Sequence, residues 1–307
     1  MTSPDVIVVG ASNVDLTFRA PRLPDAGETV GDADLAENLG GKGANQAVAA
    51  ARLGADVFFL SSLGQDEAGA RFERLLASEG IDASGCRYFS GQPTGRACIW
   101  LDAEGENRIL VSSGANAFLY QAAVKGALAT LSDASVVLCQ LETPVEGVAS
   151  AVAWAREVGA LSIVNTAPAL PLPRLRVAPD VLVANEHEAA YLINDPKLGP
   201  RDLAAALSDR FGVGSVVVTL GAAGALLWQE GDARHVEAPA VTPADTTGAG
   251  DAFCGAFAAR LAAGDEPLRA VELACAAGAL ATLRLGAMSS LPTLAKVEGL
   301  AERSGPA

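Results

Sequence analysis

The sequence predicts an α/β fold in which a mostly parallel central sheet carries helices on both faces. Short apolar, β-branched runs alternate with segments whose apolar residues recur every three or four positions. Each run is bounded by Gly, Asp or Pro. A chain of 307 residues is also long enough to bury the core of one large domain of this kind.

The predicted strands and helices follow directly from these patterns. The buried strands are Val6–Val9, Val57–Leu60, Val136–Leu141, Leu161–Asn165, Val181–Ala184 and Ser215–Leu220. The helices are Gly43–Leu53, Glu67–Glu79, Tyr120–Leu131, Val145–Val158, Arg201–Phe211, Gly250–Leu261 and Leu268–Leu283. Parallel strands need long crossover connections, usually helices, so this alternation predicts a helical layer on each face of the sheet.

Two stretches depart from the alternation and predict short antiparallel strands, at about residues 15–38 and 94–113. In the second, Ala97, Ile99 and Leu101 share one face, and Ala103–Glu106 makes the turn. We expect the two stretches to form a small sheet that acts as a lid over a ligand. An elaboration of the sheet edge or a dimer contact is the alternative use. The length allows one large domain or two modest ones, but the Pro-rich stretch Thr166–Pro179 is too short for an interdomain linker and no internal repeat is visible, so residues 1–307 are predicted to form a single domain.

The charge of the chain restricts its ligands. The sequence has 22 basic and 36 acidic residues, a net charge of −14, and no basic stripe. We therefore expect no binding to nucleic acid or to an anionic membrane, because few cations are present to displace counterions from phosphates. A small anionic ligand would have to be held by local groups, since the overall field opposes it.

Cysteine and histidine usage disfavours several chemistries. The five cysteines and two histidines show neither disulfide nor zinc-ligand spacing, and nucleophilic catalysis by a Ser-His or Cys-His pair is equally disfavoured. Cysteines in apolar segments are typical of a reducing compartment. The run Val6–Val9 is too short for a signal peptide, and no segment approaches the roughly 18 apolar residues of a membrane span. We therefore expect a cytoplasmic protein.

The most informative segment is Asp245-Thr246-Thr247-Gly248-Ala249-Gly250-Asp251, which runs directly into a predicted helix. The amides of Gly248, Ala249 and Gly250 would point outward at the positive end of the helix dipole, which suits a phosphate. The carboxylate of Asp251 would repel a phosphate, but it would accept a proton from an attacking hydroxyl. The segment alone leaves open whether Asp251 is a base or a helix cap.

A second glycine-rich segment, Gly40-Gly41-Lys42-Gly43-Ala44-Asn45-Gln46, opens another predicted helix. It is not a P-loop, because the required glycine spacing and the Ser or Thr after the Lys are missing. Lys42 and Asn45 instead offer hydrogen-bonding groups suited to a polyol. Taken alone, this segment is also compatible with a simple tight turn.

Further polar groups follow two predicted strands. Gly10-Ala11-Ser12-Asn13-Val14-Asp15 comes after the first strand and lacks the Gly-x-Gly-x-x-Gly dinucleotide fingerprint. Asn13, Asp15 and Glu142 lie at the carboxyl ends of strands, where α/β sheets bind ligands. Together these groups would accept hydrogen bonds from sugar hydroxyls. Taken singly, each is compatible with helix capping.

Taken together, these segments resemble the ribokinase-like (PfkB) carbohydrate kinases over nearly the whole chain. The resemblance rests on the order of Gly10–Asp15, Pro24–Thr29, Gly40–Gln46, Ser113–Asn116, Gln140–Pro144, Asn165–Ala169, Asn185–Glu188, Thr219–Gly221 and Asp245–Asp251. It implies a Rossmann-like three-layer α/β/α body with a β lid, often part of a homodimer. It also implies transfer of the γ-phosphoryl group of ATP to a sugar hydroxyl, with Mg²⁺ and a monovalent cation, usually K⁺.

The resemblance also implies roles for individual residues. Asp251 would be the catalytic base, and Gly248, Ala249 and Gly250 would form the anion hole. The implied sugar contacts are Asn13, Asp15, Gly41, Lys42, Asn45 and Glu142. The implied nucleotide, Mg²⁺ and phosphate contacts are Asn185, Glu188, Thr219, Gly221, Gly224 and Gly250. The implied monovalent-cation site comprises Asp245, Thr247, Ala281, Arg284, Gly286 and Ser290.

The acceptor stays open at this point. Ribose, phosphorylated at O5, is the expectation, and a nucleoside, fructose, deoxyribose or a keto-deoxy sugar acid is the alternative. Arg96 and Trp100 are large for strand residues over a plain ribose, and a cation at Arg96 would favour an acidic or larger sugar. Cys275 stands near the expected adenine, where the family often has a polar residue. A catalytically silent sugar- or nucleotide-binding protein is the alternative outside enzymes, although it would have no need of Asp251.

Overall fold

The computed structural model describes residues 3–104, 106–170 and 177–304. Its strands are β1 (Val6–Val9), β2 (Asn13–Arg19), β3 (Asp34–Gly40), β4 (Val57–Leu60), β5 (Ser62–Gly64), β6 (Arg87–Phe89), β7 (Gly95–Leu101), β8 (Asn107–Ser112), β9 (Val136–Cys139), β10 (Leu161–Asn165), β11 (Val181–Asn185), β12 (Ser215–Thr219), β13 (Ala225–Gln229) and β14 (Asp232–Val236). Its α-helices are α1 (Lys42–Arg52), α2 (Glu67–Ser78), α3 (Gln121–Leu128), α4 (Val145–Val158), α5 (Glu186–Ile193), α6 (Pro200–Phe211), α7 (Ala249–Ala262), α8 (Pro267–Ala281) and α9 (Leu294–Ser304).

The main sheet has eight strands in the order β14-β13-β12-β11-β10-β9-β1-β4. Neighbours from β12 to β4 are parallel, whereas β13 and β14 are antiparallel to their neighbours. The chain continues from β1 to β4 on one side and reaches β9 on the other, so the strand order reverses at β1. In open sheets of this kind, ligands bind beside such a reversal, at the carboxyl ends of the strands.

Alternate residues of the central strands enter two separate cores. In β1, Val6 and Val8 pack with α1, α2, α7, α8 and α9, while Ile7 and Val9 pack with α3, α4, α5 and α6. All four side chains are fully buried. A strand buried on both faces loses the polar alternation of a half-exposed strand, which explains its uninterrupted apolar run. The predicted three-layer α/β/α architecture is confirmed.

A four-stranded sheet stands apart from the main one, in the order β3-β2-β7-β8. Its two outer pairs are antiparallel and its central pair, β2 with β7, is parallel. The predicted small sheet is therefore present. Of the predicted turn Ala103–Glu106, Gly105 lies outside the described residues, and Asp102 Oδ1 accepts the amides of Glu104 and Glu106 at 3.2 and 2.8 Å.

Several elements are not predicted by the sequence patterns. The hairpin β13–β14 turns at Glu230 and Gly231, whose φ angles are both positive, at 50° and 90°. Positive φ at both positions is the backbone of a type I′ turn, which Asn-Gly or Asp-Gly normally signals. The helices α5 and α9 and the short pair β5–β6 are also absent from the predicted elements. Helix α5 begins at Glu186, directly after β11 ends at Asn185, so no Gly or Pro marks the change from strand to helix.

None of the helices that the structure describes is long and apolar enough to cross a membrane.

Helices α1 and α7 approach each other closely at Gly255. A Cβ built on Gly255 would lie 2.4 Å from Ala49 Cβ, 2.6 Å from the carbonyl oxygen of Gln46 and 2.9 Å from the amide nitrogen of Ala50. Two of these atoms belong to the backbone, which cannot move aside as a flexible side chain can. Gly255 therefore sets the distance between two helices whose first turns carry much of the predicted site.

We predict that Gly255→Ala destabilises the protein, because the added methyl group forces α1 and α7 apart. Overpacking of this kind costs about 1–3 kcal/mol. The matched control is Gly299→Ala in α9, where the new Cβ would meet only Arg303 Nη1, at 3.5 Å. The control should be neutral or stabilising by up to about 1 kcal/mol, since Ala favours helix over Gly. Urea unfolding measures both, and equal free energies of unfolding for the two variants would contradict the prediction.

Candidate active site

The site begins where the backbone of α1 crosses the carboxyl end of β1. A Cβ built on Gly10 would lie 2.7 Å from Gly43 Cα and 2.0 Å from Gln140 Oε1, and one built on Gly43 would lie 2.4 Å from the carbonyl carbon of Gly10. The amide of Ala44 donates to the carbonyl of Ala11 at 3.0 Å. These glycines bring the first turn of α1 directly over the reversal point of the sheet.

The turn that precedes α7 has the geometry of an anion site. Gly248 is the N-cap of α7 and has a left-handed backbone, with φ of 79°. A Cβ on Gly248 would lie 2.8 Å from Ala287 Cα, so a neighbouring loop excludes a side chain there. A Cβ on Gly250 would meet nothing within 4 Å. The first turn of α7 thus faces open space at the positive end of a 14-residue helix.

Asp251 lies in this first turn and is only 7% exposed. Asn45 Nδ2 donates to its Oδ2 at 2.8 Å, and Gln46 Nε2 donates to its Oδ1 at 2.9 Å. The two amides fix the plane of the carboxylate, because each donates to a different oxygen. The predicted base is therefore held by consecutive residues of α1, of which the sequence patterns had assigned only Asn45 to the site. Asn45 Oδ1 is buried without a hydrogen-bond partner among the described residues.

Charged groups surround Asp251. The negative charges of Asp251 and Glu142 outweigh the effect of burial on Lys42, so the pKa of Lys42 is raised and it stays a cation. The pKa of Glu142 is raised by burial, which the charge and the backbone amide of Lys42 partly offset; that amide donates to Glu142 Oε2 at 2.8 Å. The pKa of Asp15 is raised to about 7, chiefly by burial and also by the charges of Glu142 and Asp251, against the opposing charge of Lys42.

Two other predicted sugar contacts, Asn13 and Gly41, occupy the junction of β2 and α1. Asn13 is 2% exposed, and its Oδ1 accepts from Asn116 Nδ2 at 2.9 Å. Gly41 caps α1 with a φ of 87°, and a Cβ there would lie 2.7 Å from the amide nitrogen of Asn13. Asn116 also donates to the carbonyl of Ser12 and accepts its amide, both at 3.0 Å. The structure thus brings all the predicted sugar contacts to one end of the sheet.

A cavity of about 360 Å³ lies between the small sheet and two loops of the body. Asp15, Thr17 and Arg19 line it from β2, and Ile99 and Leu101 line it from β7. Residues 245–247 and 285–287, with Ser289, supply most of the opposite wall. The small sheet therefore covers a space that contains a predicted sugar contact.

Arg96 and Trp100 do not line this cavity. Side chains alternate along a strand, and Ile99 and Leu101 face the cavity, so Arg96 and Trp100 face away from it. Arg96 is exposed and lies near Asp66, whose pKa its charge helps to lower, and Trp100 Nε1 donates to Cys98 Sγ at 3.1 Å. This geometry contradicts the hypothesis that Arg96 favours an acidic sugar. The sequence shows the alternation but not which face turns inward.

A second cavity, of about 440 Å³, lies on the other side of the α7 turn. Four predicted nucleotide contacts line it: Thr219, Gly221, Gly224 and Gly250. At Gly224 a Cβ would lie 1.9 Å from the carbonyl oxygen of Val236, so only glycine fits. Thr246 lines both cavities, which places the anion turn between them.

The sequence patterns missed most of the apolar wall of this second cavity. Residues 238–241 and Pro243, with Phe253, Gly278 and Ala279, line it. These residues form no motif and look like ordinary loop and core positions, so no local signal could have identified them. Cys275 does line the cavity, and burial raises the pKa of its thiol to about 12, which keeps it neutral.

Asn185 and Glu188 lie apart from this cavity lining and form a capping box on α5. Asn185 Oδ1 accepts the amide of Glu188 at 2.8 Å, and Glu188 Oε2 accepts the amide of Asn185 at 3.0 Å. Glu188 is 8% exposed, and its charge also acts on Lys42. The pair thus has a structural use that accounts for its spacing.

Three of the residues predicted for a monovalent cation, Asp245, Thr247 and Gly286, are joined by hydrogen bonds between two loops. Asp245 Oδ1 accepts Thr247 Oγ1 at 2.6 Å, and Asp245 Oδ2 accepts the amide of Gly286 at 2.8 Å. Burial opposes ionisation of Asp245, but these hydrogen bonds and the charge of Arg19 outweigh it, so its pKa is lowered. Ser290 is buried, and its Oγ donates to the carbonyl of Ala287 at 2.8 Å. Ala281 is buried at the end of α8, whereas the side chain of Arg284 is exposed.

The donors on these loops are a carboxylate, hydroxyls and the carbonyls of an irregular backbone, which are the hard oxygen ligands that suit an alkali cation. Within residues 3–104, 106–170 and 177–304, no group of three or more His, Cys, Asp or Glu side chains could hold a metal ion.

Comparison with known proteins agrees with this geometry. The model of the pfkB family carbohydrate kinases matches residues 3–294. A ribokinase from Schizosaccharomyces pombe is 38% identical over 96% of this chain and 97% of its own, and a deoxyribokinase from Salmonella typhi is 34% identical over 94% and 96%. The structure of an Arabidopsis thaliana ribokinase complexed with ribose and ATP superposes with a TM-score of 0.87 at 30% identity, covering 98% of this chain and 99% of that one.

These matches extend over nearly the full length of both partners. The predicted fold class and the predicted enzyme class, a phosphotransferase that acts on a sugar hydroxyl, are confirmed. The chain belongs to the pfkB family of carbohydrate kinases.

Proposed function

We propose that the protein phosphorylates D-ribose at O5, with ATP as the phosphoryl donor and Mg²⁺ as its companion ion. The observation that carries the proposal is the placement of Asp251. This buried carboxylate lies in a helix N-terminal turn next to Gly250, which lines one cavity, and its charge acts on Asp15, which lines the other. The full-length similarity to ribokinases supports ribose as the acceptor.

The polar groups that surround Asp15 suit a polyol, and Asp15 itself lines the acceptor cavity. Asn45 Oδ1 and the carboxylates of Asp15 and Glu142 would accept hydrogen bonds from the sugar hydroxyls, and Lys42 would donate one. Asn13 and Gly41 lie at the junction of β2 and α1 and hold this region in place. These contacts would hold the primary hydroxyl beside Asp251. The hydroxyl would then already be oriented for attack, which lowers the entropic part of the barrier.

Asp251 would then receive the proton of that hydroxyl while the oxygen attacks the γ-phosphorus and the bond to the β-phosphate oxygen breaks. The amides of Gly248, Ala249 and Gly250 would stabilise the charge on the transferred group. Mg²⁺, when bound with ATP, would supply further charge neutralisation, and Asn185 and Glu188 are the side chains proposed to organise it. The adenine would occupy the apolar wall of the larger cavity.

We propose that the small sheet is a lid and that the loops around Asp245 bind K⁺. A lid over the acceptor would exclude water and suppress wasteful hydrolysis of ATP.

A cation bound by Asp245, Thr247 and the carbonyls near Gly286 would brace the loop that packs on Gly248. Rates several-fold higher in KCl than in NaCl are expected, and equal rates would count against the cation site. Lacking a membrane-spanning helix in its described part, the chain is proposed to act in the cytoplasm.

The proposed activity is tested with a panel of acceptors. ADP formation with ATP and Mg²⁺ should be fastest, by kcat/KM, with ribose in a panel that also holds deoxyribose, fructose, nucleosides and a keto-deoxy sugar acid. Asp251→Asn should lower kcat by about 10²–10⁴ with folding intact, which is the usual effect of removing a base. Faster turnover of deoxyribose would favour the activity named for the Salmonella relative. Absence of ADP with every acceptor would remove the kinase proposal.

The raised pKa of Asp15 predicts that sugar binding depends on pH. Because its pKa in the free protein is about 7, the carboxyl is largely neutral below that pH and charged above it. A charged acceptor makes hydrogen bonds about twice as strong as a neutral one, so KM for the sugar should fall about tenfold from pH 6 to pH 8. Asp15→Asn should raise KM and abolish this pH dependence. A flat KM for the unmodified protein over that range would show that Asp15 does not titrate there.

We propose that the protein forms a homodimer through the small sheet. Leu35 and Leu110 are 58% and 68% exposed on the face that turns away from the sugar cavity, which is a large apolar surface for an isolated small sheet. A second copy of this sheet would cover it. Leu110→Glu should weaken the dimer at least tenfold, because burying each leucine contributes about 1.5–3 kcal/mol.

Tyr191→Glu is the matched control, since Tyr191 is 47% exposed on α5 and remote from the small sheet. Light scattering over a dilution series measures both variants. A monomeric unmodified protein, or a Leu110→Glu variant as tightly dimeric as the control, would refute the proposed interface.

A further inference from the structure

Gln46 is a fully buried side chain that lies in contact with the base. Its Nε2 donates to Asp251 Oδ1 at 2.9 Å and to Asn165 Oδ1 at 3.1 Å. Its Oε1 accepts from Gln140 Nε2 at 2.7 Å. One amide from α1 is thus bound at once to α7, to the end of β10 and to the residue that follows β9.

Asn165 determines which end of the Gln46 amide is the donor. Asn165 Nδ2 donates to the backbone carbonyl of Val183 at 3.2 Å, and a carbonyl can only accept. The carbonyl of Asn165 must therefore face Gln46, which turns the NH₂ group of Gln46 toward Asp251. Gln140 holds the opposite end of Gln46 through its own NH₂ group. The amide chain can have only one polarity, with a donor presented to the carboxylate.

We propose that Gln46 is a positioning residue for phosphoryl transfer, whose amide keeps the Asp251 carboxylate ionised and turned toward the acceptor hydroxyl, with its own orientation set by Asn165 and Gln140. This inference rests on the proposed function. Asn45 holds the other carboxylate oxygen but also faces the sugar, whereas Gln46 is 0% exposed and acts on the reaction only through Asp251.

The charges around Asp251 explain why a donor is needed there. The groups that act on it or on its neighbours are Lys42 from α1, Asp15 from β2, Glu142 after β9, Glu188 from α5 and Cys254 from α7. Only Lys42 among these is a cation, and the carboxylates oppose a further negative charge. The amide of Gln46 carries no net charge, so it does not compete with the anion turn for the substrate phosphates. Because its orientation is fixed, its NH₂ group always donates to the carboxylate of Asp251.

The amide chain also carries a structural cost. Gln140 Oε1 is buried and has no hydrogen-bond partner among the described residues, and it lies 2.0 Å from the position that a Cβ on residue 10 would occupy. A buried acceptor without a partner destabilises a fold, and apolar residues in its place would not. The hydrogen bond from Gln140 Nε2 to Gln46 Oε1 is what this residue contributes to the amide chain.

The test replaces the donor by an acid of the same shape. In Gln46→Glu, two carboxyl groups would face each other at the distance of the present hydrogen bond and would share a proton. We expect the acid limb of the kcat–pH profile to move up by at least one unit. At pH 7, kcat should fall at least tenfold and should recover to within about threefold of the unmodified protein at high pH. Saturating sugar and ATP are used, because Asp15 acts on KM.

Gln229→Glu is the matched control, since Gln229 lies on β13 and donates to Ser215 Oγ at 2.9 Å, away from Asp251. It should keep the acid limb of the unmodified protein. A folded Gln46→Glu variant with an unmoved limb, or with kcat lowered by one factor at every pH, would overturn the inference. If Gln46→Glu does not fold, Gln46→Met decides: kcat at least tenfold lower with the sugar KM within threefold supports the role, and unchanged kcat refutes it.

A readout without catalysis separates this inference from the proposed function. ¹³C NMR of carboxyl-labelled Asp, with the Asp251 signal assigned by its loss in Asp251→Asn, reports the pKa of the base directly. Gln46→Glu should raise that pKa by at least one unit, and an equal pKa in both proteins would refute the inference even if no sugar were phosphorylated. An unmodified protein that forms no ADP would refute only the function.

Discussion

The arrangement depends on one contact, the hydrogen bonds from the first turn of α1 to the carboxylate of Asp251 in the first turn of α7. Gly255 makes this contact possible, because the two helices lie so close there that a methyl group on residue 255 would overlap atoms of α1. A buried charged group needs hydrogen-bond partners. The spacing of the two helices therefore decides whether the carboxylate of Asp251 keeps its two donors.

The small sheet and the loops depend on the same frame. Asn116 fixes the start of β2, from which Asp15 reaches the acceptor cavity, and Ala287 closes the back of the α7 turn at Gly248. Both cavities meet at Thr246, so the acceptor and the nucleotide would face each other across one turn of backbone. The rest of the chain supplies two cores that hold the strand ends in register.

The sequence predicts features whose signals are local. Uniform apolar runs indicate the parallel strands, and the string around Asp251 indicates its role, because the glycines, the helix start and the acid are adjacent. Gln140 and Asn165 are not predicted as partners of Gln46, since each is a single polar residue at the end of a different strand. Arg96 is misassigned for a related reason: the alternation along β7 is visible in the sequence, but the face that β7 turns inward is set by its pairing with β2.

The distance along the chain between Asn45 and Asp251 has a consequence for biosynthesis. These residues are separated by 206 positions, so a nascent polypeptide displays half of the pocket long before the ribosome makes the other half. Until then Lys42 lacks one of its counter-charges, and the face of α1 that α7 will cover stays open. Such long-range closure delays folding to a late stage of translation. A truncated product would carry the sugar-side strand ends and have no capacity to react.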